Sequence, residues 1–336
     1  MHFPQDNFSD PEIRYKDAPQ APDKFRPILD RYFKSYSIAA INQRDRAEIN
    51  SENYKTAISI AGARRLFLLR KFKTMTDPEQ IDFFLLLLQK LCRLNLPVSQ
   101  TVKSLADANF IRHEGNYWAL FEFIAGAHFT PSLAALKHVA ESLAALHITF
   151  CKLAPEEISY IDELSRKSQT YFNKIKTYSA KDFLSYALLD AVAVVEREKN
   201  AIDILPKQII HSDFHPHNVI MNEDRVAAIL DFDAMRISQR AREVAVTAYR
   251  FCRQFFVGDR SFDKDAKSIF TFFLTSYEAI NPLSPEEKRL LPTLLKDEFL
   301  TKLLFVLKGV YEEGNSAWAA DLPKFLSAIA EVDYFL

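Results

Sequence analysis

The sequence predicts an α+β fold of two lobes, a small antiparallel β-sheet followed by a larger and mostly helical part. β-prone runs cluster between residues 37 and 73, and helix-forming patterns dominate after residue 130. The chain has 336 residues, more than one hydrophobic core usually serves, and 48% of them are hydrophobic. We therefore expect two separately packed lobes.

We expect the chain to divide into three parts. Residues 1–24 are polar and rich in Pro, which predicts a flexible or loosely docked N-terminal arm. Residues 25–121 should form the β-rich lobe, and residues 122–336 the helical lobe. The polar motifs of the helical lobe lie in a loop at 211–218 and in a segment at 231–233.

The elements of the first lobe follow from periodicity and turn residues. Three β-prone runs are predicted as strands, namely SIAAIN, KTAISI and RLFLLRKFK, with the turn AGAR between the last two. A helix is expected from about 78 to 94; it is apolar nearly all round and ends at Asn95 before Pro97. The run NYWALFEFI is a further strand.

The second lobe is predicted to be helical. Thr130 and Pro131 have the residue types of an N-cap and a first helical position, and His147 is expected to pack on one face of the helix that follows. Residues 155–200 should continue as two helices. After Asp233 we expect only helices, including one opened by Ser284.

Residues 211–233 are the most informative stretch and read HSDFHPHNVIMNEDRVAAILDFD. Two β-prone runs, Val219–Met221 and Val226–Leu230, lie on either side of the turn-forming cluster at 222–224. This pattern predicts a β-hairpin.

The hairpin brings three oxygen-bearing side chains toward one volume. Since a strand advances only about 3.3 Å per residue, a hairpin this short returns Asp231 to the edge where Asn218 began, within reach of Asp213. Carboxylate and amide oxygens suit magnesium, so Asn218 and Asp231 are the predicted metal ligands. Asp213 lies on the loop and is the predicted catalytic base, which accepts a proton from an attacking hydroxyl.

These residues carry a family resemblance. HSDFHPHN followed by ILDFD resembles the HxDxxxxN and IDFD signature of the aminoglycoside phosphotransferase and choline kinase superfamily, which is related to protein kinases. DFFLLLLQKLCRLNLPV, residues 82–98, is similar to the helix and LPV turn of type II homoserine kinases, and LFEFIAG, residues 120–126, resembles the hinge between the lobes. The resemblance spans residues 51 to about 250 and implies a protein-kinase-like fold with ATP and Mg²⁺ as cofactors.

The resemblance also assigns roles to single residues. It implies that His211 anchors the catalytic loop and that Arg70 is the strand cation that holds the nucleotide phosphates. Lys71 should point to the opposite face. Adenine would be held by backbone groups of the hinge, formed by Phe121, Glu122, Phe123 and Ile124.

Several positions depart from the family pattern. The chain has only 6 Gly and no Gly-rich phosphate loop, so residues 51–55, above all Ser51, are expected to cover the phosphates. Phe84 stands where the family has an acidic partner for the strand cation, which leaves Glu79 or Asp82 for that role. Ser212 replaces a Gly, which is tolerated if its φ is negative.

Glu243 stands where the family has an Asp that braces the catalytic loop. The longer side chain can still reach that loop.

The phosphoryl acceptor is expected to be a small-molecule hydroxyl. An amine-containing acceptor such as homoserine, choline or an aminoglycoside fits, because Asp233 could bind its amine or else a second metal ion. Further acidic residues could complement a cation, namely Glu156, Glu157, Asp162 and Glu163.

Three alternatives remain open. A zinc or dinuclear metal hydrolase could use His211, His215 and His217, although His217 is expected to be exposed. A Ser/Thr protein kinase of the same fold and a non-catalytic nucleotide- or ligand-binding protein are the others.

Charge and cysteine content predict a cytoplasmic protein. The 43 Lys and Arg residues balance 44 Asp and Glu residues, so no global field favours nucleic acid. Cys92, Cys151 and Cys252 are widely spaced and predict buried thiols in a reducing compartment. The longest apolar run, FFLLLL, is too short to span a bilayer, so no membrane association is expected.

Overall fold

A computed structural model describes residues 3, 8, 10–17, 19–45, 51–163, 186–257, 262, 265–311 and 313–336. The strands are β1 (Ser37–Gln43), β2 (Ser51–Ile60), β3 (Ala63–Phe72), β4 (Thr101–Val102), β5 (Ile111–His113), β6 (Asn116–Glu122), β7 (Lys207–Ile210), β8 (Val219–Asn222), β9 (Arg225–Ile229) and β10 (Arg236–Gln239). The helices are α1 (Arg26–Leu29), α2 (Pro78–Arg93), α3 (Leu133–Phe150), α4 (Tyr186–Ile204), α5 (Arg240–Arg253), α6 (Ala266–Glu278), α7 (Pro285–Arg289), α8 (Leu291–Tyr311) and α9 (Leu322–Phe335).

The chain forms two units. The sheet unit comprises Pro11–His128 and Asn218–Asp233, and the helical unit comprises Met1–Asp10, Phe129–His217 and Ala234–Leu336. The hairpin of β8 and β9 thus belongs to the sheet unit, although the loop before it belongs to the helical unit. The predicted α+β fold is confirmed, with an antiparallel sheet in the N-terminal part and helices in the C-terminal part.

The sheet unit is built on an antiparallel sheet in the order β1-β2-β3-β6-β4, with β5 paired to β6. The predicted turn between β2 and β3 is confirmed: Ala61 and Gly62 have φ values of 50° and 81°, as a two-residue hairpin turn requires. One face of the sheet is buried against α1 through an aromatic cluster that includes Phe25, Tyr54 and Trp118.

The long helix of the sheet unit begins and ends as the sequence predicts. The Asp77 side chain accepts a hydrogen bond from the Glu79 backbone N–H at the N-terminus of α2, and Pro78 occupies the first turn. At the other end Asn95 takes the left-handed conformation, with φ at 64°.

The N-terminal arm makes ordered contacts in both units. In the sheet unit Lys16 and Gln20 donate backbone hydrogen bonds to Gln43 and Ile41, at 2.8 and 2.7 Å. In the helical unit the Phe3 ring packs against Phe335 at 5.7 Å between centroids. Of the two expectations for the arm, flexible or loosely docked, these contacts favour docking for its described residues.

Two local predictions in the helical unit are wrong. The N-cap of α3 is Ser132, whose hydroxyl accepts a hydrogen bond from the Ala135 N–H at 3.0 Å, so the helix starts later than Thr130 and Pro131 suggest. The chain after Asp233 is also not entirely helical. β10 pairs with β7 there, because the buried strand that leads to the loop at 211–217 needs a backbone partner.

The remaining helical predictions are confirmed where the structure describes them. Ser284 opens α7 in a capping box with Glu287. Residues 155–163 and α4 are helical, while residues 164–185 of the predicted helical stretch lie outside the described residues. Cys252 is buried as expected, but Cys92 is only partly buried and Cys151 is exposed. Within the described residues, no helix is both long and apolar enough to cross a membrane.

Candidate active site

A buried carboxylate holds the loop that follows β7. Glu243, in the first turn of α5, accepts hydrogen bonds from the backbone N–H groups of His211, at 3.0 Å, and Ser212. The sequence expectation that Glu243 can reach the loop is therefore confirmed. Since both bonds are made to consecutive amides, they fix the direction in which the chain leaves the strand.

A second set of contacts fixes Glu243 itself. Its carboxylate lies 2.8 Å from His147 Nε2, and His147 Nδ1 lies 2.7 Å from the Tyr277 hydroxyl; all three side chains are buried. Burial by itself would raise the pKa of Glu243, but the hydrogen bond and charge of His147 and the contacts with His211 hold this pKa below its usual value. His147, expected to be a packed helix residue, is also part of this buried network.

The loop is strained at Ser212. Its φ is 71°, in the left-handed region, so the condition of a negative φ under which a Ser is easily tolerated here is not met. A non-Gly residue in this region costs about 1–2 kcal/mol. The two amide bonds to Glu243 oppose this strain. One residue later the Asp213 N–H donates to His211 Nδ1 at 3.3 Å, a contact consistent with the anchoring role implied for His211.

Asp213 is partly exposed and is held by two donors. Its Oδ1 accepts from Arg250 Nη1 at 3.2 Å, and its Oδ2 lies 3.2 Å from His215 Nε2. Burial raises the pKa of Asp213, but His215, Arg250 and Lys302 outweigh it and hold this pKa well below the usual range. The carboxylate is therefore charged at neutral pH.

The hydrogen bonds around His215 define its tautomer. The His217 N–H donates to His215 Nδ1 at 3.2 Å, so Nδ1 is the acceptor and the ring proton is on Nε2, facing Asp213. Burial lowers the pKa of His215, which keeps the ring neutral at pH 7 despite the opposing effect of Asp213. His217, expected to be exposed, is buried, with its ring 5.0 Å from that of Phe8.

In the sheet unit, the hairpin pairs the backbone of Asn218 with that of Leu230, the residue before Asp231. The Leu230 N–H donates to the Asn218 carbonyl at 2.8 Å, immediately beyond the pair Val219 and Ile229. Asp231 follows with φ at 62°, a conformation that Asp tolerates better than most residues. The predicted hairpin is confirmed, and the predicted reach from Asp231 to Asp213 stays a prediction.

Arg70 contacts both acidic residues that follow the hairpin. Its Nη2 lies 3.4 Å from Asp231 Oδ1 and 3.1 Å from Asp233 Oδ2. Lys71 points to the other face as expected, with its Nζ 3.7 Å from Glu52. Of the two acidic residues on α2 that the sequence analysis named as partners of Arg70, Asp82 accepts from Asn109 Nδ2 at 2.7 Å. The contacts of Arg70 with the two hairpin acids were not predicted from the sequence.

A cavity of about 260 Å³ lies in the sheet unit. The hinge residues Glu122 to Gly126 line it, together with Tyr15, Arg44, Lys55, Leu68, Ile220 and Leu230. This volume is close to the lower end of the range for small-molecule pockets, about 300 Å³, and suits a flat ring system.

Two of the predicted hinge residues belong to strand β6, and the adenine-binding role of the hinge stays a prediction. Phe121 is buried within β6 and is not part of the cavity wall. The Glu122 N–H donates to Gln100 and its carbonyl accepts from Ser99, so these backbone groups serve the sheet. Of the four predicted hinge residues, Glu122, Phe123 and Ile124 line the cavity.

Lys55, the last residue of the stretch 51–55 that was predicted to cover the phosphates, lines the cavity. Its Nζ lies 4.9 Å from the Phe123 ring centroid. Lys55 pairs with Leu68 of β3, which also lines the cavity. Because side chains alternate between the two faces of a strand, this pairing places Lys55 on the cavity face of the sheet.

The stretch at 51–55 is a strand and not a loop. Ser51 begins β2, is buried, and its hydroxyl accepts from Asn53 Nδ2 at 3.1 Å. The connection from β1 to β2 includes residues 46–50, which lie outside the described residues. The surroundings of Ser51 therefore favour a structural role in the strand, and its role in covering the phosphates stays a prediction.

Each of the three histidines of the loop makes a different contact. His211 contacts Asp213 N–H, His215 contacts the Asp213 carboxylate, and the ring centroids of His215 and His217 are 6.3 Å apart. Among the residues that the structure describes, no group of three or more His, Cys, Asp or Glu side chains is placed to hold a metal ion.

Comparison with known proteins identifies the family. The phosphotransferase enzyme family matches residues 45–265, well over half of the chain. The chain belongs to this family. The phosphotransferase is therefore an enzyme of the kinase-like superfamily that acts on hydroxyl groups of small molecules, in agreement with the family recognised from the HxDxxxxN motif. This result favours the enzyme over the non-catalytic alternative.

Its curated relatives include homoserine kinases. The enzyme of Caulobacter sp. (strain K31) is 26% identical over 248 residues, which cover 70% of this chain and 73% of the relative. That of Xanthobacter autotrophicus (strain ATCC BAA-1158 / Py2) is 23% identical over 279 residues, covering 82% and 83% of the two chains.

Solved structures of low sequence identity share the fold. The structure of an amicoumacin kinase in complex with AMP-PNP, Ca²⁺ and Ami has a TM-score of 0.62 at 12% identity, and the match covers 93% of both chains. A microcompartment-associated aminopropanol kinase has a TM-score of 0.61 at 13% identity, covering 93% of this chain and 97% of its own. They support the fold alone.

Proposed function

We propose that the phosphotransferase transfers the γ-phosphoryl group of ATP, with magnesium, to the hydroxyl of a small amine-containing molecule of the homoserine type. The observation that carries this proposal is Asp213, a charged and partly exposed carboxylate on a loop braced by Glu243. The homoserine kinases among the relatives support the acceptor class.

Asp213 acts mainly by orienting the acceptor hydroxyl. A carboxylate whose pKa is well below the usual range is a weak base, so it gains little from early proton abstraction. Phosphoryl transfer passes through a loose transition state, in which the attacking oxygen becomes acidic only late in the reaction. Asp213 then accepts the hydroxyl proton as the new O–P bond forms.

The donor set of the hairpin fits magnesium. Asn218 and Asp231 would hold the ion, with Asp233 as a further carboxylate beside Asp231; these are the hard oxygen ligands that Mg²⁺ selects. When bound, the ion supplies neutralisation of phosphate charge. Asp233, which contacts Arg70, is the candidate for a second metal ion, with direct binding of a substrate amine as the alternative role.

The sheet unit supplies the nucleotide site. Phe123 and Ile124 would hold the adenine in the cavity of about 260 Å³. Arg70 would hold a phosphate, because a guanidinium matches the geometry of phosphate oxygens and this one lies beside Asp231 and Asp233 at the proposed metal site. For the acceptor amine, the acidic residues of the helical unit at 156, 157, 162 and 163 remain candidates.

The decisive experiment compares Asp213→Asn with the wild type. We expect transfer to homoserine or another amino alcohol to fall by roughly 100- to 10,000-fold, because the hydroxyl loses its proton acceptor. ATP with Mg²⁺ at a hundredfold over its Kd should still stabilise the variant by about 2.7 kcal/mol in a thermal-shift measurement.

Asp224→Asn, at the exposed turn of the hairpin, makes the same chemical change away from the loop and serves as the control. Full transfer activity in Asp213→Asn would remove Asp213 from the reaction. The absence of any stabilisation of the wild type by ATP or GTP with Mg²⁺ would contradict the kinase proposal as a whole.

A further inference from the structure

The N-terminal arm is held beside the hinge at two points in the sheet unit. β1 is the first strand in the order of the sheet, so the backbone groups on its outer side need partners other than β2. The Lys16 N–H donates to the carbonyl of Gln43, the last residue of β1, at 2.8 Å. At the second point the Pro11 carbonyl accepts from the His128 N–H at 2.7 Å, two residues after Gly126 of the hinge. The chain between these points therefore has a fixed course.

The side chains of this arm segment, residues 11–16, alternate between solvent and the cavity. Glu12, Arg14 and Lys16 are exposed, whereas Ile13 and Tyr15 are partly buried and line the cavity of about 260 Å³. A period of two residues is that of an extended chain with one face covered. The arm segment therefore forms a wall between the cavity and solvent.

Lys55 connects the arm segment to the hinge. Its Nζ lies over two rings, 5.5 Å from the centroid of Tyr15 and 4.9 Å from that of Phe123. The two ring centroids are 6.3 Å apart. Because an ammonium is attracted to the faces of aromatic rings, Lys55 stabilises the positions of both. The Tyr15 ring is thus placed in the wall by β2 and by the hinge together.

The rest of the lining favours a nucleobase over a phosphate group. Apolar side chains contribute much of it, namely Leu68, Ile124, Ile220 and Leu230. The second cation of the lining, Arg44, donates to His128 Nε2 at 3.1 Å, since His128 Nδ1 donates to the Val219 carbonyl at 3.2 Å. A flat aromatic base suits apolar walls, whereas a phosphate would lose its hydration beside them.

We propose that the arm segment is part of the nucleotide site and that Ile13 and Tyr15 contact the nucleobase. This inference rests on the proposed phosphotransfer, because the base of ATP is taken as the occupant of the cavity. The family match begins at residue 45, so the arm segment lies outside it. Part of the nucleotide affinity of this phosphotransferase thus comes from a stretch of chain that precedes the matched residues.

Tyr15→Ala tests the contact with three ligands that share one base. We expect the Kd values of adenosine, ADP and ATP with Mg²⁺ to rise by the same factor, roughly 5- to 100-fold, the usual effect of losing an aromatic side chain that packs on a base. The kcat at saturating ATP should stay within a factor of two, because a contact to the base is equal in the ground state and the transition state. Isothermal titration calorimetry and steady-state kinetics measure these effects. Tyr15→Phe, which keeps the ring, should bind all three ligands as the wild type does.

Arg14→Ala is the matched control, since it changes the neighbouring residue on the solvent face of the same segment. Its Kd values should equal those of the wild type. Wild-type affinity of Tyr15→Ala for adenosine would overturn the proposal. So would weaker binding of ADP and ATP with unchanged binding of adenosine, because the effect would then lie at the phosphates. An equal loss of affinity in Arg14→Ala would attribute the effect to loosening of the arm and would also overturn the contact.

Hydrogen exchange of the wild type provides a second measurement that needs no substitution. Adenosine should slow the exchange of the backbone N–H groups of residues 12–16 together with those of the hinge at 122–126, because a base in the cavity stabilises both walls. Protection of the hinge without protection of the arm segment would show that the arm does not contact the base, and the proposal would be wrong.

Phosphoryl transfer by the wild type separates this proposal from the proposed function. If Tyr15→Ala weakens the binding of adenosine and ATP equally but the wild type phosphorylates no alcohol, the role of the arm segment stands and the proposed function fails. If the wild type phosphorylates homoserine and Tyr15→Ala binds adenosine normally, only the role of the arm segment fails. A wild type that binds neither adenosine nor ATP contradicts both.

Discussion

At Asp213, one carboxylate meets two donors of different character. Arg250 brings a full positive charge, while His215 is neutral at pH 7 and brings an N–H whose position is fixed by the His217 amide. Both contacts lower the pKa of Asp213, that of His215 first and the charge of Arg250 after it, and the N–H of His215 also fixes the orientation of the carboxylate. His215 is therefore a positioning residue that acts through Asp213.

The role of His215 can be tested by substitution. His215→Ala removes the N–H donor, so kcat should fall by roughly 10-fold, the effect of losing one hydrogen bond. The pKa of Asp213 should rise, which moves the acid limb of the kcat/KM profile upward from its position below the ordinary Asp value of 3.8. His215→Gln, whose amide can donate, should recover part of both effects. Identical pH profiles for all three proteins would show that His215 only fills space.

Arg70 and Lys71 form a matched pair of neighbours on opposite faces of β3. Arg70 contacts Asp231 and Asp233, whereas Lys71 lies near Glu52 and over the Trp118 ring. We expect Arg70→Met to raise the KM for ATP by roughly 10- to 100-fold, because a charged phosphate ligand is lost. Lys71→Met, which deletes the adjacent positive charge, should leave it within a factor of two of the wild type. Steady-state kinetics with varied ATP compare the variants; equal effects would indicate a general loss of charge.

Sequence reasoning located these residues to different degrees. The contiguous motif gave Asp213, Asn218 and Asp231, because their spacing is local. It could not give their partners: Arg250 lies 37 residues from Asp213, and Arg70 lies 161 residues from Asp231. Such contacts depend on tertiary packing.

At the scale of elements, strong local signals were reliable. The hairpin at 219–229, the helix α2 and the turn at Ala61 all follow from periodicity and turn residues. β10 was missed because Arg236–Gln239 is a short stretch with polar residues, and its strand conformation comes from pairing with β7. The N-cap of α3 was predicted at Thr130 instead of Ser132 because both are good capping residues and they lie two positions apart.

Glu243 acts as a brace that connects α5 to the loop carrying Asp213. Glu243 accepts two backbone amides from the loop and contacts His147 from α3, so one side chain ties β7, α3 and α5 together. An Asp there would be one methylene shorter and could not keep all of these contacts without movement of the backbone. The strain at Ser212 persists because the brace holds it.

Glu243→Gln tests the brace with little change in volume. The amide nitrogen cannot accept a hydrogen bond, so the N–H of His211 or Ser212 loses its partner at a cost of about 1–3 kcal/mol. We expect a lower urea midpoint and, because Asp213 follows directly in the loop, a lower kcat. Glu278→Gln, a change at a salt bridge near the surface, should shift stability by less than about 0.5 kcal/mol. A Glu243→Gln protein with wild-type stability would contradict the brace.

At the scale of the whole molecule, the helical unit depends on buried carboxylates. Glu298 contacts Arg236 and Arg242, Glu287 contacts Arg240, and Glu331 accepts from Arg253 and from the Tyr249 hydroxyl. These ion pairs link β10, α5, α7, α8 and α9. Replacing one partner would leave a buried charge without compensation, which costs about 3–5 kcal/mol.

This arrangement predicts acid sensitivity of the helical unit. Burial raises the pKa values of Glu243, Glu287 and Glu298, but their hydrogen bonds and cationic neighbours outweigh it and hold all three below the ordinary value of 4.5. A carboxylate whose pKa is lower in the folded state binds fewer protons there than in the unfolded chain. Its contribution to stability is therefore fully present above pH 4.5 and is lost as the pH falls toward the folded-state value.

Urea unfolding followed at several pH values measures this loss. We expect the midpoint to be flat from neutral pH to about 5 and to fall steeply below that, because all three buried carboxylates must then be protonated. Glu298→Gln should lower the urea midpoint at pH 7. It should also make the decrease of the midpoint at acid pH less steep, because one of the carboxylates that bind protons there has been removed. Glu196→Gln, at an exposed carboxylate of α4, should leave this decrease unchanged. If the urea midpoint of Glu298→Gln falls with pH as steeply as that of the wild type, the acid-sensitive groups lie elsewhere in the molecule.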